Sequence, residues 1–378
     1  MPEPSEPSVA LSSDRPVAIF VSFSGQGGVE RMITNLAGGM AAQGVAVDLV
    51  LAKAAGAHLA DMPEGVRVVK LRSRHTFTSL FALARYLRGE RPSAVLAAKD
   101  RAIRTAVLAR RLAGVRPRLV GRLGTTVSAA LAGKGRLRRG LWYLGMRWFY
   151  RPVDCIVAVS QGVADDVSAI TGLPAERITV VRNPVVGPRL VELAGAPLAH
   201  PWFQPGELPV LLGAGRLTAQ KDFPTLLRAF ARVRERQPCR LVILGEGRQR
   251  GELQGLAARL GVADDVAFPG FTDNPYAYMA RATVFVLSSV WEGSPNVLTE
   301  AMALGTAVVA TDCPSGPREI LDGGRYGPLV PMGDAPALAA AILDVLRNPP
   351  DGAMLKHAVA DYSVERSAAR YLQTLGLT

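Results

Sequence analysis

Short apolar runs alternate with longer helix-like stretches along most of this chain. The first run, VAIFVSF at 17–23, is uniformly apolar, as expected of a strand that is buried on both faces of a parallel sheet. Runs of the same type recur up to residues 177–185, and a second series then begins with LPVLLGAG. Because strand and helix patterns alternate, we expect an α/β fold with parallel sheets covered by helices.

The restart of the pattern predicts two Rossmann-like domains within the 378 residues. We expect the first domain over 15–187, a linker rich in Pro and Gly over 188–208, and the second domain over 209–352. Residues 353–378 should form a C-terminal helix that returns to the first domain. Residues 1–14 should be a disordered leader, since they are rich in Pro, Ser and Glu and lack the regions of a signal peptide. Open α/β sheets bind ligands beyond the carboxyl ends of their strands, so the two sheets should face each other across a cleft.

Positive charge is concentrated in the first half of the chain. Residues 1–185 hold 26 Lys and Arg against 13 Asp and Glu, whereas residues 186–378 hold 18 against 19. This excess indicates an anionic partner for the first half: a membrane, a nucleic acid or an acidic substrate. The three cysteines and four histidines are scattered, so we expect reduced thiols in a cytoplasmic protein and no metal site. No apolar run in the sequence reaches the roughly 18 residues of a membrane-spanning helix.

Three predicted strand ends carry two glycines in a G-x-G arrangement. A dinucleotide-binding turn needs a third glycine three residues further on, where this sequence has Glu30, Thr218 and Arg250. The G-x-x-x-x-G-K-S/T pattern of P-loop proteins is also absent from the sequence. These glycines therefore either permit tight turns or bring the backbone close to a phosphate at a helix start. Gly27 and Gly28, directly before a predicted helix, are the better candidates for a phosphate contact.

Arg216 and Lys221 lie on one predicted strand-to-helix loop, GRLTAQKD, in the second domain. Arginine forms forked hydrogen bonds and lysine adds a point charge, so together they can neutralise a diphosphate. The alternative is that both are solvated loop charges. We favour the diphosphate site because the two cations share one loop at the end of a strand.

Glu292 and Glu300 form an E-x7-E pattern after an apolar strand. Glu292 falls in the loop, and Glu300 falls about two turns into the following helix. Free N–H groups at such a helix start can receive phosphate oxygens, and a carboxylate further along can accept hydrogen bonds from a ribose diol. The alternative is that both glutamates are exposed charges flanking the helix. The donor-binding residues predicted at the helix start are Gly293, Ser294, Pro295, Asn296 and Val297.

These motifs together resemble one family. Arg216, Lys221, Glu292 and Glu300, with CPSGPREI at 313–320, resemble the pattern of retaining glycosyltransferase family 4, also called group 1, which has the GT-B fold. The Gly27-Gly28 turn is similar to the glycine loop that follows the first strand in this family and lies over the donor phosphates. The resemblance extends over residues 16–375.

The resemblance implies a role for each matched residue. Arg216 and Lys221 would bind the donor diphosphate, and Glu300 would bind the ribose. Glu292 would contact the transferred sugar and act in catalysis with the two cations. The family retains the anomeric configuration and uses neither a metal nor another cofactor, and the sequence accordingly lacks the D-x-D motif of metal-dependent transferases.

One position departs from the family pattern. Many members carry a histidine on a loop of the N-terminal domain that faces the donor sugar. The matching strand end here reads GRLGTT at 121–126, without histidine. Arg122 and Thr125 are the candidate residues to contact the sugar or the acceptor in its place.

Residues 134–151 combine cations with aromatic side chains on one predicted helix. Such a helix is typical of a membrane interface, and Leu141, Leu144 and Trp148 fall on one side of it. The alternative is a domain helix whose aromatics lie in the core and whose arginines face water. Nucleic-acid binding is disfavoured because no nucleic-acid-binding motif accompanies the charge. The predicted membrane patch comprises Lys134, Arg136, Arg138, Arg139, Trp142, Arg147 and Trp148.

The expected function is therefore transfer of a hexosyl or N-acetylhexosaminyl group from a nucleotide-sugar. Overall family resemblance favours a UDP-sugar as donor and a lipid-linked or polysaccharide-precursor acceptor in cell-envelope glycan synthesis. The enzyme would then act on the inner face of the membrane as a peripheral protein. Two alternatives are a sugar-nucleotide 2-epimerase of the same fold, which needs no acceptor, and a non-catalytic binding module.

Overall fold

Each half of the chain forms one parallel β-sheet with helices on both faces. The computed structural model describes residues 15–23, 28–54, 62–73 and 75–377. The predicted leader at 1–14 and Gly27 of the predicted phosphate turn lie outside the described residues. Two parallel sheets in separate domains are the architecture that the alternating pattern predicts, and that prediction is confirmed.

The sheet of the first domain has seven strands in the order β3-β2-β1-β4-β5-β6-β7. Strands β1, β2 and β4 are buried along their whole length, whereas edge strand β3 alternates between partly buried and exposed residues. Burial on both faces explains the uniformly apolar sequences of the central strands. The strands are β1 (Val17–Val21), β2 (Val47–Leu51), β3 (Val66–Lys70), β4 (Ala94–Ala98), β5 (Arg118–Leu123), β6 (Cys155–Ala158) and β7 (Ile178–Val180).

Helices cover both faces of this first sheet. On one face, α2, α3, α5 and α6 bury their apolar sides, and α1 covers the other face together with the last helix of the chain. Short helix α4 follows β5. The helices of the first domain are α1 (Gly28–Ala41), α2 (Leu80–Glu90), α3 (Asp100–Ala113), α4 (Val127–Ala130), α5 (Arg136–Tyr150) and α6 (Gln161–Thr171).

The sheet of the second domain has six strands in the order β10-β9-β8-β11-β12-β13. These strands are β8 (Val210–Ala214), β9 (Arg240–Leu244), β10 (Val266–Gly270), β11 (Val284–Leu287), β12 (Ala307–Thr311) and β13 (Leu329–Val330). The helices that follow the first domain are α7 (Pro188–Gly195), α8 (Phe223–Arg234), α9 (Arg250–Arg259), α10 (Tyr276–Met279), α11 (Asn296–Ala303), α12 (Pro317–Ile320), α13 (Ala335–Arg347), α14 (Gly352–Ala358) and α15 (Val364–Leu375). Helices α8, α9 and α13 cover one face of the sheet, and α7, α10, α11 and α14 cover the other.

Two segments differ from their predicted form. The predicted linker at 188–208 begins with helix α7, because Leu190 and Ala194 give it an apolar side that packs into the second domain. The predicted single helix at 353–378 is two helices, because the Ser363 side chain accepts a hydrogen bond from the N–H of Arg366 and starts α15. Helix α14 packs against α11, and α15 packs against α1 in the first domain.

The chain crosses between the domains at two adjacent points. The N–H groups of Val185 and Val186 both donate to the carbonyl oxygen of Tyr362, each at 2.9 Å. In return, the N–H of Val364 donates to the carbonyl oxygen of Val186 at 2.9 Å. The two crossing segments are therefore hydrogen-bonded to each other, and together they form the covalent connection between the two domains.

Packing of α15 on α1 can be tested at Gly39. A Cβ at this position would lie 2.7 Å from Cγ1 of Val364 and 3.0 Å from Cβ of Ala368. Gly39→Ala should lower the free energy of unfolding by about 1–3 kcal/mol, as overpacking does. In the control Gly89→Ala on α2, nothing lies within 4 Å of the new Cβ, and alanine should stabilise the helix by about 0.5–1 kcal/mol. Urea unfolding measures both changes, and equal stability of the two variants would contradict this packing.

Candidate active site

A cleft of about 820 Å³ lies between the carboxyl ends of the two sheets. It is lined by residues that follow β4 and β5 in the first domain and β8, β9 and β11 in the second. The cleft therefore sits where ligands bind to open α/β sheets. The predicted site residues that line it are Gly28, Arg122, Thr125, Arg216, Lys221, Glu292, Ser294, Pro295, Asn296, Val297 and Glu300.

The loop between β8 and α8 presents the two predicted cations differently. Lys221 Nζ donates to Glu292 Oε1 at 2.7 Å, and the Ser288 hydroxyl donates to the Lys221 carbonyl oxygen at 2.7 Å. Within the described residues, the Arg216 guanidinium makes neither a hydrogen bond nor an ion pair, and it is exposed to the cleft. The loop thus holds one neutralised cation and one that can receive an anion.

Glu292 is buried beneath the cleft rather than exposed on its loop. Its side chain is 10% exposed, and Oε1 also accepts from the Ser289 hydroxyl at 2.8 Å. A buried carboxylate needs such partners because removal from water disfavours the charge. The alternative that the two glutamates are exposed flanking charges is wrong, since Glu300 is also 5% exposed.

Glu300 on α11 is held by residues from both domains. Its Oε1 accepts from the Tyr276 hydroxyl at 3.4 Å and lies 3.7 Å from Nη1 of Arg31, which belongs to α1 of the first domain. Burial raises the pKa of the Glu300 carboxyl, and Arg31 and Tyr276 act in the opposite direction. Sequence reasoning placed Arg31 just after the Gly27-Gly28 turn but did not predict its contact with Glu300, because 269 positions separate the two residues.

The start of helix α11 faces the cleft. Among the described side chains, none caps its first N–H groups, and such groups attract anions. Asn296 instead uses its side chain to contact the first domain: Oδ1 accepts from Asn183 Nδ2 at 2.7 Å, and Nδ2 donates to the Gly28 carbonyl oxygen at 3.3 Å. The N–H groups of Leu298 and Thr299 donate to the Pro295 carbonyl oxygen, and those of Asn296 and Val297, which have no acceptor within the described residues, remain available to a ligand.

Direct contact between the two domains occurs beside Glu292. Thr125 and Gly293 form an isolated antiparallel bridge, and the Thr126 hydroxyl donates to the Glu292 carbonyl oxygen at 2.9 Å. A Cβ at Gly293 would overlap the Gly124 carbonyl oxygen. Gly293, predicted as a donor-binding residue, is therefore not among the cleft-lining residues, because its backbone is used for the domain contact.

The glycine pairs of the second domain serve backbone packing. A Cβ at Gly245 would overlap the carbonyl oxygen of Gly215, and one at Gly247 would overlap that of Leu217. The loops after β8 and β9 therefore run side by side with no room for side chains. These glycines therefore permit tight turns, and because Gly215 and Gly245 also line the cleft, the structure leaves their contact with a phosphate as the second alternative.

Arg122, the candidate replacement for the family histidine, is almost completely buried. It is 2% exposed, and Nη2 donates to Asn183 Oδ1 at 2.8 Å. Because Asn183 also bonds Asn296, this arginine is connected to the start of α11. The sequence analysis gave Asn183 no role, although it lies within the predicted run RITVVRNPV at 177–185.

A second interdomain contact forms at Glu319. Its carboxylate accepts from the N–H groups of Gln161 and Gly162 at the start of α6, each at 3.0 Å, and from Arg182 Nη1 at 2.6 Å. Burial alone would raise the pKa of Glu319, but these hydrogen bonds outweigh it and lower the pKa. Glu319 thus joins the second domain to a helix start of the first domain.

Helix α5 divides the predicted membrane patch between two sides. Trp142 lines the cleft and lies 5.3 Å from the guanidinium of Arg104, rather than sharing the outer surface. Trp148 is 69% exposed, and Leu137, Leu141 and Leu144 are exposed on the same side. The exposed basic residues of the patch are Lys134, Arg136, Arg138 and Arg147, and Arg139 is partly buried.

Metal-binding clusters and membrane-spanning helices are both absent from the described residues. No group of three or more His, Cys, Asp or Glu in this part of the chain is arranged to hold a metal ion. Across the same residues, no helix combines the length and apolarity that crossing a bilayer requires. Cys155, Cys239 and Cys313 are buried free thiols.

The fold and the cleft together define a protein of the two-domain GT-B class. Family models match both domains: Glycosyltransferase Family 4 over residues 26–186, and Glycosyl transferases group 1 over residues 208–348. The chain therefore belongs to the group 1, family 4-like glycosyltransferases.

Curated relatives match part of this chain. The lipopolysaccharide core biosynthesis glycosyltransferase LpsE of Rhizobium meliloti is 36% identical over 200 residues, 53% of this chain and 56% of the relative. The N-acetylgalactosamine-N,N'-diacetylbacillosaminyl-diphospho-undecaprenol 4-alpha-N-acetylgalactosaminyltransferase of Campylobacter jejuni is 38% identical over 138 residues, 36% of this chain and 37% of the relative. The chain thus spans about half the length of these relatives, or less.

Solved structures share the whole fold. HepE of Anabaena in complex with UDP-glucose has a TM-score of 0.76 and 20% identity, with 96% of this chain and 100% of that chain covered. The apo form of the lipopolysaccharide outer core galactosyltransferase WaaB has a TM-score of 0.71 and 20% identity, with 96% and 99% covered. At this level of identity the comparison establishes the GT-B fold.

The Glu319 contact predicts a pH-dependent closure of the domains. Because the pKa of Glu319 is lowered in the closed form, this residue stabilises the closed form at pH values above the ordinary pKa range of a carboxyl group. That stabilisation is lost as the pH falls through the lowered pKa. At pH 7, Glu319→Gln should remove charge-assisted bonds that contribute about 1–3 kcal/mol to the closed form. Small-angle scattering should then report a larger radius of gyration than for wild type. The control Glu235→Gln changes an exposed glutamate on the second domain; equal radii for all three proteins would contradict this role.

Proposed function

We propose that this protein transfers a sugar from a nucleotide-sugar, by preference a UDP-sugar, to a lipid-linked or polysaccharide-precursor acceptor. The observation that carries the proposal is the Arg216 guanidinium, which has no partner within the described residues and faces the cleft together with the start of α11. A cation and free N–H groups in one cleft suit a diphosphate. Family membership supports sugar transfer as the reaction.

The proposed catalysis depends on charge at the leaving group. As the glycosidic bond to the diphosphate breaks, negative charge grows on the leaving oxygen, and preorganised cations and dipoles stabilise that state most. Arg216 and the start of α11 would bear this charge, and Lys221 would share its ammonium between the diphosphate and Glu292. Glu292 would contact the sugar, and Glu300 would bind the ribose. We further propose, from family resemblance, that the reaction needs no metal and retains the anomeric configuration.

Two observations support the proposed substrates. A UDP-glucose complex of the same fold supports a uridine nucleotide as donor, and the Campylobacter relative is named for a diphospho-undecaprenol-linked acceptor. Part of the first-domain wall of the cleft, formed by residues at the end of β5 and on and near α4 and α5, is apolar and suits an acceptor with an apolar part. These residues are Leu123, Val127, Ala130, Leu131 and Trp142. The epimerase alternative finds no support in the relatives described above, which are named as transferases.

Arg216→Ala tests the donor site directly. Loss of charge-assisted hydrogen bonds worth about 1.5–3 kcal/mol should weaken UDP binding tenfold or more. The Arg216→Ala variant should keep its fold, because Arg216 has no partner within the described residues. Lys221→Ala would instead leave the buried Glu292 carboxylate without its ion-pair partner. Isothermal titration with UDP measures the change, and Arg232→Ala, on the exposed side of α8, is the control. Unchanged UDP affinity in a folded Arg216→Ala variant would contradict the assignment.

We also propose that the outer side of α5 rests on an anionic membrane at the inner face. Leu137, Leu141, Leu144 and Trp148 recur at i, i+4, i+7 and i+11, so they form one exposed apolar stripe. Leu141, Leu144 and Trp148 also line a groove of about 380 Å³ against α3. Basic side chains beside the stripe can meet anionic head groups, each contributing about 1 kcal/mol near the surface.

Vesicle co-sedimentation tests the membrane proposal with two variants. The combined change of Arg136, Arg138 and Arg139 to Glu should abolish binding to phosphatidylglycerol vesicles, and the change of Leu141 and Trp148 to Ser should weaken it. Wild type should not bind phosphatidylcholine vesicles, and salt should weaken binding through charge screening. As a matched control, Arg228, Arg232 and Arg236 on and just after α8 are changed to Glu. Equal recovery of wild type in the supernatant with both lipids would refute the membrane role.

A further inference from the structure

Lys99 and Arg122 follow neighbouring strands at the first-domain side of the cleft. Strands β4 and β5 pair with Ala98 opposite Arg122, and the N–H of Lys99 donates to the Arg122 carbonyl oxygen at 3.0 Å. Both residues line the cleft. In the sequence, Lys99 ends the apolar run AVLAAK at 94–99, which predicts a strand but assigns no role to the lysine.

The backbone of Lys99 is strained. Its φ is 83° and ψ is 150°, a region that residues with a Cβ avoid and glycine adopts readily. Strain of this kind persists where the surrounding structure enforces it, and it clusters at functional sites. Glycine would fit this backbone better, so a lysine at this position is a candidate functional residue.

Most other charges that line the cleft already have a partner. The described pairs are Lys221 with Glu292, Arg31 with Glu300, Asp100 with Arg104, and Glu246 with Arg250. Lys99 forms no ion pair within the described residues, and its side chain is exposed to the cleft. Desolvation lowers the pKa of Lys99; Glu30 acts in the opposite direction, and Arg122 and Arg216 lower the pKa further.

Arg122 adds a second charge without a described counter-ion. Its Nη2 group donates to the neutral amide of Asn183, and the guanidinium also interacts with the neighbouring phenol of Tyr371. The nearby phenol of Tyr371 is uncharged. Burial of a guanidinium without a carboxylate is unfavourable in a ligand-free protein, so this side of the cleft favours an anion.

We propose that Lys99, supported by the field of Arg122, binds an anionic group of the substrates other than the donor diphosphate. That group is a carboxylate on the transferred sugar or a phosphate on the acceptor. The diphosphate has its own cation and helix start in the second domain, whereas Lys99 and Arg122 belong to the first domain, where they follow or end β4 and β5. The inference rests on the proposed sugar transfer and specifies the substrates of that reaction.

Isothermal titration of wild type, Lys99→Gln and Lys99→Arg tests the proposal. UDP-glucose and UDP-glucuronate differ in one carboxylate, so their comparison tests whether the anionic group is on the transferred sugar. Inorganic phosphate titrated into the UDP complex tests whether it is a phosphate on the acceptor. Lys99→Gln should leave UDP and UDP-glucose affinities within twofold. Lys99→Gln should weaken the binding of UDP-glucuronate or of phosphate at least tenfold, and Lys99→Arg should restore that affinity. Weakened binding of UDP itself would assign Lys99 to the diphosphate, and full binding of both anionic probes by Lys99→Gln would remove the site; either result overturns the proposal.

Stability separates this role from a structural one. Lys99→Gly relieves the strained backbone, so its melting temperature should equal or exceed that of wild type while anion binding is lost. The control Arg91→Gly relieves another left-handed residue, φ 46°, at the end of α2 away from the cleft, and should bind all probes normally. A lower melting temperature for Lys99→Gly would contradict the strain argument. Failure of wild type to bind UDP would count against the proposed function alone, because phosphate titrated into the ligand-free protein still tests Lys99.

Discussion

The contact between the loops after β5 and β11 brings the two halves of the cleft together. Thr125 pairs with Gly293 through the backbone, and a side chain at Gly293 would prevent that approach. Across this contact, Arg31 of the first domain reaches Glu300 of the second. A buried carboxylate is unfavourable without such a partner, so closure of the domains and the electrostatics of the site depend on each other.

The charges of the cleft fall into two groups. Lys221, Glu292, Arg31 and Glu300 neutralise one another and shape the cavity. The second group comprises Arg216 in the second domain and Lys99 and Arg122 in the first. These three cations face the cavity without a described counter-ion. Unpaired cations on both sides of one cleft suit a reaction in which a donor and an acceptor both carry negative charge. Part of the positive charge in the first half of the sequence therefore faces the cleft, so the excess of charge need not be used for membrane binding alone.

The sequence predicts the features of the fold and of the site that depend on local residue patterns and on the positions of strand ends. Apolar runs such as VAIFVSF identify buried strands, and Arg216, Lys221, Glu292 and Glu300 reach the cleft because each follows a strand or starts a helix. Contacts between distant segments leave no local signal, so the contact of Arg31 with Glu300 was missed. Short elements were also missed: α7 has only two buried apolar residues, Leu190 and Ala194, and a helix that short shows little periodicity. Lys99 was recognisable as a cation at a strand end, but its strained backbone was not.

Hydrogen exchange with and without a nucleoside diphosphate tests the central claim, that one ligand binds between both domains. UDP, GDP and ADP are compared on wild type at neutral pH. The account predicts that at least one of them, UDP by preference, slows exchange in the loop after β8 and at the start of α11, and also at residues 122–126 of the first domain as the domains close. Protection confined to helices remote from the cleft, or no protection with any of the three nucleotides, would contradict it.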